Sequence, residues 1–173
     1  MYKFNGKKST QAASFLLRGA GGAISFDKFW YLMYLVDRES ITNTFFPLTG
    51  SCFVNNYIML MDLYNYTKEE YWNKYISVFE NDDNFYYLDN PGDGELSDYE
   101  ILLIQKIYKL YGNTELTDLR CMVSILPEIR ELNVGDVINP CNILRAENVS
   151  EDSIEEYKKE NLYFNNVDNL FRC

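Results

Sequence analysis

Histidine is missing from all 173 residues of the sequence. Its absence removes the commonest general base, the Ser-His and Cys-His nucleophile pairs, and the commonest zinc ligand. Phosphate-binding glycine loops are missing too, because Gly21 and Gly22 are not followed by the Gly-Lys-Ser/Thr of such a loop. We therefore expect a protein without catalytic residues and without a cofactor.

Positive charge is scarce, with 16 basic residues against 26 acidic ones and a formal net charge of −10. Contact with a phosphate backbone needs Lys and Arg to displace counterions, so direct nucleic-acid binding is disfavoured. An acidic surface suits a basic protein partner, and it is also what an acidic DNA mimic would present. The third interpretation is that the charge only keeps the protein in solution.

The four cysteines show no close pairing, and no apolar run is long enough to span a membrane. No charged-then-apolar segment of the secretory type opens the sequence. These absences predict a reduced, cytoplasmic protein with no membrane partner. The cysteines are Cys52, Cys121, Cys141 and Cys173.

Apolar residues make up 47% of the chain and include 15 Tyr and 11 Phe, enough for one core-forming domain over residues 1–173. The richest stretch runs from Ser25 to about Ile41, where apolar and aromatic residues fall on nearly every side of a helical period. Such a helix must be surrounded. The sequence predicts a mainly α domain with this helix buried at its centre, capped by Ser25, and with loose ends at 1–8 and 163–173.

Further elements follow from shorter patterns. Ser97 and Glu100 form a capping box at the start of a helix that stops at Gly112, and Ser9 or Thr10 is expected to cap the first helix. Residues 57–64 and 71–79 have helical spacing, the second preceded by Thr67 as its expected cap. Residues 52–54 and 84–88 are expected to pair as a small β-ribbon, the only sheet.

One stretch partly matches an EF-hand loop, since Asp89, Asp93, Gly94 and Glu100 occupy its first, fifth, sixth and twelfth places. Pro91 stands at the third place and has no ligand to offer. The capping box already accounts for Glu100. We therefore interpret the stretch as a polar turn before a capped helix and predict no metal site. An enzyme working through carboxylates or a bound metal remains the alternative from a different class.

Several motifs together resemble those of one known family. Residues 35–40 read LVDRES and residues 46–50 read FPLTG. These motifs, and others in the same order, are similar to the Panacea-domain family, the SocA-like antitoxins of bacteria and phages. The further motifs are Trp72 with 75–77 (YIS), 96–100 (LSDYE), 126–128 (LPE) and 142–146 (NILRA).

The resemblance implies a helical binding module that neutralises a cognate toxin by direct protein contact in the bacterial cytoplasm. A phage-encoded inhibitor of a bacterial defence system, acting in the infected host, would be built on the same domain. Neither implies an oligomeric state. The family usually carries Gly-Pro-Val after its extended segment, whereas residues 55–59 here read NNYIM.

The family motifs are present up to residue 50, whereas residues 55–59 differ from the family pattern. This is the pattern expected if the fold is kept while the residues that contact the partner have changed. We therefore predict a partner-binding surface at the end of the central helix and in the segment after it. It comprises Asp37, Arg38, Glu39, Thr49, Asn55, Asn56 and Tyr57. The charged run at 37–39 has a second interpretation, a structural latch in which Arg38 pairs with a carboxylate and with helix-end carbonyls.

Overall fold

Helices make up 55% of the chain, which confirms the predicted mainly α fold with a small antiparallel sheet. The computed structural model describes residues 3–55, 58–79 and 82–170, with side chains as far as residue 160. The helices are α1 (Gly6–Gly19), α2 (Phe26–Thr44), α3 (Met61–Tyr66), α4 (Glu70–Tyr75), α5 (Asp98–Tyr111), α6 (Leu116–Ser124), α7 (Pro140–Ala146) and α8 (Glu151–Leu170). The strands are β1 (Ala23–Ser25), β2 (Phe53–Val54), β3 (Met59–Leu60), β4 (Ile76–Val78) and β5 (Asn84–Tyr87).

Helix α2 lies at the centre, as predicted, and packs against α5, α6 and α7. Its apolar side chains are buried around most of its circumference, which is what the near-continuous apolar pattern requires. Ser25 occupies the N-cap position, but its side chain makes no capping hydrogen bond, so the predicted cap is wrong. The helix ends when Phe45 adopts a left-handed conformation (φ 64°) and donates its N–H to the Ile41 carbonyl at 2.8 Å.

An aromatic cluster joins the start of α2 to the sheet. The Phe29 ring lies 4.5 Å from that of Phe85 on β5 and 5.2 Å from that of Trp30, measured between centroids. Trp72 on α4 also meets Phe85 edge to face at 6.0 Å. All four side chains are almost fully buried. Large aromatic surfaces packed edge to face supply much of the burial energy of this end of the core.

The strand pairing differs from the prediction. β5 is the middle strand of a three-stranded antiparallel sheet in the order β1-β5-β4, with Ala23 opposite Tyr86. β2 pairs instead with β3 in a separate two-stranded sheet, with Phe53 opposite Leu60. The expected ribbon of 52–54 with 84–88, and the expectation of a single sheet, are therefore wrong. A hairpin closes a much shorter loop than a pairing across thirty residues does, so its entropic cost is lower.

The two predicted helices in the middle of the chain are shorter than their patterns suggest. Met59–Leu60 and Ile76–Val78 are strands, and only 61–66 and 70–75 are helical. Side chains branched at Cβ favour the extended backbone of β4. Thr67 caps neither helix N-terminus: it follows α3, and its hydroxyl donates to the Tyr64 carbonyl at 2.8 Å.

The predicted capping box on α5 forms, and α7 is also capped by a side chain. Ser97 and Glu100 make the reciprocal bonds of a capping box on α5, and the Asn139 side chain accepts from the Cys141 N–H at 2.9 Å at the start of α7. Helix α1 is capped by Asn5. Ser9 and Thr10 lie inside that helix and donate to carbonyls one turn back, so the cap predicted there is wrong.

Candidate partner-binding surface

Asp37 lies on α2 with its carboxylate fully buried. The Thr49 N–H donates to its Oδ1 at 2.8 Å and the Thr49 hydroxyl donates to its Oδ2. Burial is the main cause that raises the pKa of Asp37 from 3.8 to about 7, against the hydrogen bonds from Thr49, which lower it. Neither Asp37 nor Thr49 is accessible to a partner, so their placement on the predicted surface is corrected to a bond inside the fold.

Gly50 completes this connection. Its φ of 70° is left-handed, and a Cβ there would stand 2.6 Å from the Lys3 carbonyl oxygen. Any other residue would be strained and would also clash with backbone. The Thr-Gly pair of residues 49–50 therefore serves to turn the chain tightly around the end of α2.

Arg38 forms an ionic network that joins the buried carboxylate of Glu128 to the half-exposed carboxylate of Glu147. Its Nε donates to Glu128 Oε1 at 2.6 Å and its Nη2 donates to Glu147 at 2.7 Å. The Tyr34 hydroxyl donates to the same Glu128 oxygen at 2.9 Å. Burial alone would lower the pKa of Arg38, but the hydrogen bond and charge of Glu128 and the bond to Glu147 raise it above its usual value. Burial and then the charge of Glu128 also raise the pKa of Tyr34 far above its usual range.

This network supports the carboxylate part of the latch interpretation for Arg38, whose hydrogen bonds here go to two carboxylates rather than to helix-end carbonyls. It joins the LVDRES motif on α2 to the LPE motif that contains Glu128, 90 residues further along. Since a buried charge needs a partner, each of these residues depends on the other. Glu128 Oε2 is buried and has no hydrogen-bond partner in the described part of the protein.

Glu39 faces outward, where its carboxylate pairs with Lys106 of α5 at 2.6 Å. That hydrogen bond is the main cause that lowers the pKa of Glu39. The pair stands beside an open groove of about 460 Å³ between the last turns of α2 and the first turns of α5. We call this the α2–α5 groove. It is lined by Glu39, Asn43, Thr44, Tyr99, Leu102, Leu103 and Lys106.

Tyr99 and Leu102 make this groove apolar, and they remain 43% and 65% exposed. The exposure of Leu102 does not follow from the sequence, because this residue shares the helical spacing of the core residues of α5. Only Leu103, Ile104 and Ile107 of that helix are buried. The apolar residues of α5 cover a wider arc of the helix than one buried face needs, and this width is the sequence feature that would have indicated an exposed apolar surface.

Asn55 is occupied within the fold. Its side-chain amide donates to the Leu132 and Asn133 carbonyls, both at 3.1 Å, and its backbone exchanges bonds with Asp136 and Gly135. It therefore holds the turn at 132–136 against the end of β2. Asn56 and Tyr57, the other two residues of the predicted divergent surface, lie outside the described residues.

The stretch that resembles an EF-hand loop is a capped turn. One Glu100 oxygen accepts the Ser97 N–H at 2.9 Å, and the other pairs with Lys8 at 2.6 Å. Asp89 accepts the N–H of the next residue, Asn90. Across 3–55, 58–79 and 82–160, where side chains are described, no three Cys, Asp or Glu side chains are grouped as metal ligands would be.

Searches against protein-family models, curated proteins and solved structures found no match. Within the described ranges, no helix combines the length and hydropathy needed to cross a bilayer.

Proposed function

We propose that this chain is an antitoxin-like protein-binding module, similar to the Panacea-domain family, that neutralises a specific toxin or effector by direct contact. It would act in the cytoplasm of a bacterial or phage-infected cell, without catalysis of its own. The motifs that carry the resemblance support a shared scaffold. Asp37 with Thr49 joins the LVDRES motif to the nearby FPLTG motif, and Arg38 with Glu128 joins it to the LPE motif 90 residues further along.

The observation that carries the proposal is the α2–α5 groove. Its centre is apolar and aromatic, and its rim is the ion pair of Glu39 with Lys106. Binding energy at protein interfaces concentrates in a few large side chains that become fully desolvated, with polar groups around them. Exposed Tyr99 and Leu102 provide such side chains on a rigid helix.

The experiment compares two aspartate substitutions on α5. Leu102→Asp places a charge in the groove, whereas Leu110→Asp alters a residue of the same helix that is 56% exposed and does not line the groove. Tagged wild-type protein is used to capture its partner from bacterial lysate. The partner is then purified and titrated against all three proteins by calorimetry.

Leu102→Asp should weaken binding by about 10-fold or more, while Leu110→Asp binds as the wild type does. Co-expression should then show that only the wild type and Leu110→Asp suppress the toxicity of the partner. Equal affinities of the two variants would place the partner elsewhere. A captured partner that belongs to a defence system would identify an inhibitor rather than an antitoxin.

A further inference from the structure

The strand β4 forms one edge of the three-stranded sheet, since β5 lies between β4 and β1. The outer side of an edge strand offers its N–H and C=O groups to any further strand, and proteins usually protect such an edge with a charged residue or a proline. β4 reads Ile-Ser-Val and contains neither. We call the outward-facing side of Ile76 and Val78 the β4 edge.

Most backbone groups of the β4 edge are free to bind. The Leu88 N–H donates to the Tyr75 carbonyl at 2.8 Å, which fixes the alternation of the antiparallel ladder, so Ile76 and Val78 turn their N–H and C=O away from β5. The Ile76 N–H is bonded to the Trp72 carbonyl at the end of α4. The Ile76 carbonyl and both groups of Val78 make no hydrogen bond within the described part of the chain.

The side chains at the β4 edge are also incompletely covered. Ile76 and Val78 share the face of the sheet that packs on the core, and Val78 stands opposite Phe85. Ile76 and Phe85 are buried, whereas Val78 is 49% exposed and the next residue, Phe79, is 54% exposed. On the other edge strand, β1, the large apolar residue Ile24 is only 5% exposed. The core face therefore continues to the β4 edge, where an added strand would extend it.

We propose that the β4 edge binds a basic, extended segment of a protein partner as an added β-strand. The free backbone groups favour an extended chain over a helix, and half-exposed Val78 favours an apolar residue beside it. Asp82 and Asp83 lie in the turn between β4 and β5, and the chain has a net charge of −10. This charge favours a segment that contains Lys or Arg over a second copy of the chain.

The β4 edge is a different surface from the α2–α5 groove, so the inference goes beyond the proposed function. The sheet lies at the start of α2, where the Phe29 and Phe85 rings are 4.5 Å apart. The α2–α5 groove lies at the other end of the same helix, beside Glu39 and Thr44.

The probe is a short fluorescent peptide of alternating Val and Lys, and its binding is measured by fluorescence anisotropy. One control peptide has Glu in place of Lys, and a second has a central Pro, which interrupts the ladder bonds. Val78→Pro removes an outward N–H without breaking a bond to β5. The matched variant Val78→Thr keeps that N–H and the branched side chain. Circular dichroism verifies that each variant is folded.

The Val-Lys peptide should bind the wild type and Val78→Thr alike, and Val78→Pro about 10-fold more weakly. Neither control peptide should bind as well as the probe. Equal binding of the Glu peptide would overturn the basic character of the partner segment, and equal binding of the Pro peptide would overturn strand addition. An absence of probe binding to the wild type would overturn both.

Amide hydrogen exchange tests the same edge in the wild type, which keeps the inference refutable if Val78→Pro fails to fold. In protein with isotope-labelled valine, followed by nuclear magnetic resonance, the probe should slow exchange of the Val78 amide about 10-fold. Exchange at Val134, 80% exposed in a turn elsewhere, should not change. Equal slowing at both amides, or no slowing at Val78, would overturn the inference.

Two further measurements separate this inference from its alternatives. Leu102→Asp, which alters the α2–α5 groove, should bind the probe as the wild type does. Loss of binding in this variant would place the peptide in that groove, which overturns the inference and leaves the proposed function intact. Sedimentation should give the same oligomeric state for the wild type and Val78→Pro, because a dimer lost in Val78→Pro would mean that a second copy occupies the β4 edge.

Discussion

Replacing Asp37 with Asn should change how the stability of the protein depends on pH. Asp37 is fully buried, and its carboxyl pKa is raised from 3.8 to about 7 mainly by that burial. Asn has nearly the same shape and cannot ionise. Its Oδ1 can accept the Thr49 N–H, which now lies 2.8 Å from Asp37 Oδ1, and its amide can donate to the Thr49 hydroxyl.

The sign follows from proton binding. Between about pH 4 and pH 7 the folded protein holds a proton on Asp37 that the unfolded chain has released, so the free energy of unfolding falls as pH rises. Each pH unit in this window costs about 1.4 kcal/mol, and the roughly three units between the two pKa values amount to about 4 kcal/mol. The contribution of Asp37 is therefore fully present below about pH 4 and lost above about pH 7.

Urea unfolding followed by far-ultraviolet circular dichroism, repeated between about pH 4 and pH 8, measures this dependence. The stability of Asp37→Asn relative to the wild type should increase across the window by about 2 to 4 kcal/mol. Asp83→Asn, at an exposed carboxylate, is the control and should follow the wild-type profile. Parallel profiles for the wild type and Asp37→Asn would refute the reasoning, because they would mean that Asp37 has the same pKa in the folded and unfolded states.

Three further substitutions test the packing and the ionic network by denaturant unfolding. Trp30→Ala should lower the free energy of unfolding by about 3 to 5 kcal/mol, since this almost fully buried ring would leave a cavity; a loss below about 1 kcal/mol would contradict its central place. Arg38→Ala should cost about 3 to 5 kcal/mol because it leaves the Glu128 carboxylate buried without its cation, and adding Glu128→Gln should recover part of that loss. If the double variant is no more stable than Arg38→Ala, the loss does not come from the unpaired Glu128 carboxylate. Glu100→Ala should cost about 1 to 2 kcal/mol through the capping box and the Lys8 pair, and calorimetry with Ca²⁺ should give the same result for variant and wild type.

The sequence predicted the elements whose information is local. The central helix followed from an apolar pattern within about twenty residues, and the start of α5 from two residues three positions apart, Ser97 and Glu100. The pairing of the strands could not be predicted from local sequence. A strand such as β5 has no feature of its own sequence that selects β1 and β4 over β2, because that choice depends on where the helices place each strand.

The predicted partner-binding surface was likewise correct where local sequence decides and wrong where tertiary contacts decide. The region was identified by its motifs, and Glu39 does line an open groove there. Asp37 and Thr49, however, are polar residues that the fold buries against each other. A polar residue type favours the surface on average, and only the tertiary contact reveals which ones are paired inside. Leu102 is the converse case, an apolar residue that the fold leaves exposed.

The Arg38 network also has a consequence for folding kinetics. Its two bonds join α2 to residues 90 and 109 positions away, so neither can form until most of the chain has been brought into place. Contacts that form after the transition state affect the unfolding rate and hardly alter the folding rate. Loss of Arg38 should therefore leave the folding rate nearly unchanged and raise the unfolding rate. Faster unfolding would expose the chain to cellular proteases more often and shorten the lifetime of the folded protein.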